Sequence, residues 1–188
     1  MYEVEKIKQD LKCMLSEKRY NHSLNVAEVA KELASIYNVD KEKAYIAGLT
    51  HDIAKEFNEE ENKYYLDKYN LSKSLLNSKY KKILHANIGA KYVKDKYNLD
   101  DDICMAIDIH TIASPNMDML AKILFVADKI EPNKDYIGIE EERRLAYINI
   151  DASLKLCLEN NIKSLISKGK QPHKNTIDTL NLLKKLDI

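Results

Sequence analysis

Within Leu49-Thr50-His51-Asp52-Ile53-Ala54-Lys55, an imidazole and a carboxylate stand side by side at the end of an apolar run, three residues ahead of a lysine. Imidazole nitrogen and carboxylate oxygen are donors suited to ions such as Fe, Mn, Zn or Mg. Adjacent side chains on a helix diverge by about 100°, so the pair cannot grip one ion at one point unless the helix end is distorted. It suits a carboxylate lying between two metals, or one metal plus a reaction centre. Alone, the dipeptide has a plain reading as a helix-end polar pair beside a surface lysine. The other histidines change the balance. His22, His85 and His110 each fall beside an expected helix end, and Asp128 closes the most apolar helix of the chain. Ligands on separate rigid elements, converging from their ends, are what an open metal centre requires.

The elements that must position these groups read as helices throughout. Val4, Ile7, Leu11 and Met14 recur at helical spacing over residues 2–17. Ser23 or Asn21 is the expected cap of the next helix, with His22 at its entrance and Val26, Ala30, Leu33 and Ala34 on its apolar face. Asp40 is the expected cap of a helix from about 41, where Ala44, Ala47 and Gly48 permit another helix to approach closely. Residues 57–82 read as two short outer helices, and His85 is expected to open the helix that follows. Asp100 caps one more, ending at His110. Leu120, Ile123, Leu124, Val126 and Ala127 form the apolar helix that delivers Asp128, and Glu131-Pro132 ends it, since the residue before proline disfavours helix. One long helix is expected over about 139–167, stopped by Gly169, and a last one through Leu186 is capped by Asn175 or Thr176. Strand alternation, internal repeats and linkers are absent. The sequence therefore predicts an all-α fold, a single helical domain over 1–188.

Bulk properties narrow the function classes. Lys and Arg number 30, as do Asp and Glu, so no global charge draws nucleic acid or a membrane surface. The N-terminus lacks an apolar signal core, and no apolar run approaches the roughly 20 residues that span a bilayer. Cys13, Cys104 and Cys157 are scattered, which fits a reducing cytoplasm better than a disulfide framework or a thiolate metal site. Nothing in the sequence sets an oligomeric state.

The ordered set His…His-Asp…His…His…Asp resembles the HD-domain metal-dependent phosphohydrolase superfamily over about residues 19–145, with the C-terminal helices of 139–188 packing on that core. Arg19-Tyr20-Asn21-His22-Ser23, the His51-Asp52 segment, Leu84-His85, His110-Thr111 and Phe125-Val126-Ala127-Asp128-Lys129-Ile130-Glu131-Pro132-Asn133 resemble the YqeK family of bacterial symmetrical dinucleoside tetraphosphatases. That family splits diadenosine tetraphosphate (Ap4A) into two ADP by metal-activated water. The resemblance implies an HD-domain helical bundle and a nucleotide substrate. It also implies one or two iron ions, with Mn, Co or Ni as alternatives, and no nucleic-acid or membrane partner.

Carried over by residue, the resemblance implies that His22, His51, Asp52 and Asp128 hold one iron. His85 and His110, sharing Asp52, hold a second metal or else contact phosphate. Asp52 orients the metals and accepts a hydrogen bond from water; Lys55 reaches a phosphate oxygen, against the plain reading of an exposed lysine. Arg19 lies either on the phosphate track or behind His22, pairing with a carboxylate. Lys134 stands where the family usually has arginine and lacks its bidentate fork. Arg143 belongs to the same track or to a solvated charged face. Thr111, and His173 and Thr176 in Gln171-Pro172-His173-Lys174-Asn175-Thr176, are the remaining expected nucleotide contacts. Other readings are another HD-type nucleotide phosphohydrolase, a non-catalytic nucleotide-binding HD module, and a plain helical interaction domain without metal.

Overall fold

Long stretches rich in Leu, Ile, Ala, Lys and Glu, interrupted at few points by Gly or Pro, favour helix over strand. A computed structural model of the chain, describing residues 2–76 and 81–186, contains ten α-helices, one 3₁₀ turn and no strand among those residues. In order they are α1 (Val4–Met14), α2 (Glu17–Ile36), α3 (Lys41–Thr50), α4 (Glu59–Lys68), the 3₁₀ turn Lys73–Leu76, α5 (Lys81–Tyr97), α6 (Asp101–Ile109), α7 (Met119–Ile130), α8 (Ile139–Ala146), α9 (Ile150–Ser167) and α10 (Lys174–Leu183).

Helix α3 is central, packed against α1, α2, α6 and α7. Its small residues allow this: a Cβ added at Gly48 would lie 2.6 Å from Ala27 Cα, so the α2 and α3 backbones meet at a distance only glycine permits. Asp40 caps α3 as expected, accepting from the Glu42 and Lys43 amides. Lys43 Nζ then reaches Asp100 and Asp102, both at 2.8 Å, and so fixes the start of α6. Leu33, Ile46, Leu49, Ile103, Ile107, Leu124 and Phe125 fill the space between these helices. Helix α9 packs on α7 and carries α8 and α10, which places the C-terminal helices beside the end of α7 where Asp128 lies.

Several boundaries differ from the sequence reading. Ser16, rather than Asn21 or Ser23, caps α2, and its amide and hydroxyl also bind Glu56 at 2.6 and 2.8 Å. The helix therefore starts earlier, and His22 lies inside it. Helix α5 starts at Lys81, so His85 falls in its second turn rather than opening it. The expectation for 57–82 falls partly on 77–80, outside the described residues; α4 and the 3₁₀ turn occupy the rest. The long helix expected over 139–167 is two, because the Asn149 side chain accepts from the Asp151 and Ala152 amides and starts α9 afresh. His173 caps α10 in place of Asn175 or Thr176, through its Nδ1 and the Asn175 amide.

Candidate metal centre

His51 is the residue on which α3 ends, and its Nδ1 lies 2.7 Å from the Gly48 carbonyl three residues back. His110 repeats the device at the end of α6, with Nδ1 2.6 Å from the Ile107 carbonyl. A carbonyl can only accept, so each ring donates from Nδ1 and turns a bare Nε2 inward. The His22 ring, on the flank of α2, has its Nδ1 3.1 Å from Glu131 Oε1. Asp52 sits in the turn after α3, and Asp128 is two residues before the end of α7.

These groups converge on Asp52. Its Oδ2 lies 3.6 Å from His51 Nε2, 3.8 Å from His22 Nε2 and 2.7 Å from Arg19 Nη1. Its Oδ1 lies 3.0 Å from His85 Nε2, 3.6 Å from His110 Nε2 and 3.4 Å from Lys55 Nζ. Two ligand-like groups result, His22/His51/Asp52 and Asp52/His85/His110, each with donor atoms within 4.8 Å of one another. Asp128 joins the first through Oδ1, 3.2 Å from His22 Nε2 and 3.8 Å from His51 Nε2, while its Oδ2 pairs with Lys129 Nζ at 2.6 Å.

The donor set fits a metal. His22 Nε2, His51 Nε2 and Asp52 Oδ1 are buried, yet none makes a hydrogen bond in acceptable geometry. Buried polar atoms are ordinarily satisfied; here His22 Nε2 and His51 Nε2 are left over in one donor group and Asp52 Oδ1 in the other, and divalent cations would complete both. Protonation agrees. Burial drives the His51 pKa down to about 3 and the His85 pKa to about 4, so both rings are neutral at pH 7, as ligation requires. For Asp52, burial alone would raise the pKa. The facing His51, the close approach of His110 and His85, and the Lys55 charge outweigh it and hold the carboxyl well below its usual range. Asp128 is held down likewise, against burial, chiefly by Lys129.

A cleft of about 840 Å³ opens above the centre, within the usual range for small-ligand sites. Its floor includes Asp52, His85, His110 and Asp128, and its walls carry Arg19, Lys55, Lys129 and Lys134. Lys55 Nζ also lies 3.0 Å from His85 Nε2, and burial lowers its pKa. Thr111, His173 and Thr176 line the far wall. His173 and Thr176 are also structural there: His173 caps α10, and Thr176 Oγ1 donates to the Ile112 carbonyl at 2.7 Å.

Arg143 is placed elsewhere. Its guanidinium donates to the carbonyls of Ile130, Glu131 and Lys134 and braces the loop after α7, which departs from both the phosphate track and a purely solvated face. Arg19 rests on Asp52, so Glu131 is the residue behind His22. Sequence reasoning treated Glu131 only as a helix terminator and passed over Lys129. The available signal is spacing: Glu131 follows Asp128 by three residues, about one turn on, at the residue where α7 ends.

Imidazoles and carboxylates raised from separate helices toward one shared aspartate define a helical metal-binding domain of the His/His-Asp/Asp type. The HD domain family profile matches residues 19–133, and the chain belongs to that family. It is 36% identical to the symmetrical bis(5'-nucleosyl)-tetraphosphatase of Halalkalibacterium halodurans, over 93% of this chain and 94% of that one. It is also 36% identical to the Staphylococcus aureus protein of the same name, over 95% and 93% respectively. The fold matches the crystal structure of a "predicted HD superfamily hydrolase involved in NAD metabolism" from Clostridium acetobutylicum, with a TM-score of 0.89, 39% identity and 98% of both chains covered.

Proposed function

We propose that this chain is a metal-dependent hydrolase that cleaves Ap4A symmetrically into two ADP. The observation that carries this reading is the convergence of six side chains, with unsatisfied buried donors, beneath a cleft walled by cations. The relatives named symmetrical tetraphosphatases, matched over nearly the full chain, supply the substrate and the symmetry of the cut.

His22, His51, Asp52 and Asp128 would hold one ion, and Asp52, His85 and His110 a second. The all-N/O donor set suits iron, with Mn, Co or Ni as alternatives. Such an ion polarises a phosphoryl oxygen and lowers the pKa of water toward about 7. The chain's own groups do the rest. Asp52 faces both donor sets and orients them through its two oxygens. Lys55, at the cleft wall beside Asp52 and His85, sets a positive charge where the departing ADP gains negative charge. Arg19 pins the Asp52 carboxylate, and Lys129 and Lys134 extend the positive wall along which a polyphosphate lies. Thr111, His173 and Thr176 face the nucleoside end. Among the described residues no helix is long and apolar enough to cross a membrane. Cys13, Cys104 and Cys157 are free, as a reducing cytoplasm would keep them, and residues 1–188 are read as one domain.

The test is elemental analysis of protein purified without oxygen, alongside hydrolysis of Ap4A. The expected result is iron in the protein and ADP as sole product. ATP plus AMP would refute the symmetrical cut, and a protein with neither metal nor turnover would refute the hydrolase.

A further inference from the structure

Three inward-facing histidines set Nδ1 against an acceptor oxygen, and they differ in where that oxygen comes from. His51 and His110 use carbonyls of their own helices, three residues back, which are within reach because each helix stops at the histidine. His22 lies inside the 20-residue α2, where neighbouring carbonyls serve the helix ladder, so its ring needs an acceptor from elsewhere. Glu131 supplies it from 109 residues away, at 3.1 Å.

We infer that Glu131 is a positioning residue: it holds the His22 ring with Nδ1 protonated and Nε2 turned toward Asp52 and Asp128, so that His22 is ready to ligate before an ion arrives. This rests on the reading of His22, His51, Asp52 and Asp128 as metal holders.

The Glu131 carboxylate is itself fixed. It is only 2% exposed, and its Oε2 accepts from Asn25 Nδ2 at 3.2 Å and from the Asn133 amide at 2.8 Å. Asp128 and Glu131 thus approach the same ring from opposite nitrogens, Asp128 Oδ1 at Nε2 and Glu131 Oε1 at Nδ1. Pro132 ends α7 just past Glu131, which leaves the helix at φ −52°, ψ 152°, and Arg143 braces the backbone there. A carboxylate behind a ligating imidazole fixes the tautomer and ring orientation and raises the basicity of the other nitrogen; loss of such a partner typically costs about 10–100-fold in metal affinity.

The experiment is a Co²⁺ titration of metal-stripped protein, followed by electronic absorption, on wild type, Glu131→Gln, His22→Ala and the double variant. Glutamine offers one acceptor oxygen where His22, Asn25 and the Asn133 amide all donate. Glu131→Gln is therefore expected to bind Co²⁺ about 10–100-fold more weakly. His22→Ala should lose at least as much, and adding Glu131→Gln to it should change nothing further. Unchanged affinity in Glu131→Gln, or the same loss again in the His22→Ala background, overturns the inference. Absence of Co²⁺ binding by wild type instead overturns the metal reading beneath it. Nitrogen-15 NMR of metal-free wild type reads the ring directly and needs no variant: His22 carrying its proton on Nδ1 supports the inference, and on Nε2 overturns it.

Discussion

Arg19 Nη1 lies 2.7 Å from Asp52 Oδ2, the oxygen that faces His22 and His51, leaving Oδ1 to His85, His110 and Lys55. The arginine thus fixes which carboxylate oxygen serves which half of the centre. Arg19→Ala frees Asp52 to rotate and is expected to lower kcat by about 10–100-fold while leaving the fold intact. Arg19→Lys keeps the charge without the planar fork and recovers part of the rate. Steady-state kinetics with Ap4A, alongside circular dichroism, checks both.

Lys55 touches Asp52 and His85 but belongs to neither donor group. Lys55→Ala is therefore expected to keep the wild-type metal content and to lose kcat by about 10²–10³-fold, the usual effect of removing one group that stabilises developing charge. Elemental analysis and turnover on the same preparation separate the two effects. Loss of metal would make Lys55 part of the scaffold instead.

Far from the cleft, Asp10 on α1 receives Lys96 Nζ at 2.9 Å and Tyr97 Oη at 2.8 Å from the end of α5. The hydrogen bond from Lys96 is the largest influence on Asp10 and depresses its pKa below 3.8. A carboxyl with a folded-state pKa below its unfolded one stabilises the fold fully above the unfolded pKa, and that contribution is lost as pH falls through the folded pKa. Asp10→Asn should therefore cost about 1 kcal/mol at pH 7, discounted for partial exposure. The gap from wild type should begin to narrow as pH falls below 3.8 and close only once the folded-state carboxyl is protonated. Urea unfolding of metal-free protein at pH 7 and pH 3 measures it.

What was legible in the sequence follows from where each signal resides. Asp40 before α3 and Glu131-Pro132 after α7 are local punctuation, and the structure uses both as expected. The close packing read from Ala44, Ala47 and Gly48 also holds, since Gly48 meets the Ala27 backbone. His22 and His85 were misplaced relative to their helices because no Gly or Pro marks those starts. Ser16 caps α2 while also binding Glu56, a contact 40 residues distant that spacing cannot show. Asn149 splits α8 from α9 inside an apolar pattern continuous enough to read as one helix. Glu131 behind His22, and Arg143 on three carbonyls, depend on how α7, α2 and α8 pack, so neither residue could be assigned from local pattern.

The central claim is that both donor groups depend on Asp52, and turnover of Ap4A by Asp52→Ala with metal supplied in excess tests it most directly. The account predicts a folded protein with no measurable ADP release. Wild-type turnover by that variant would contradict it.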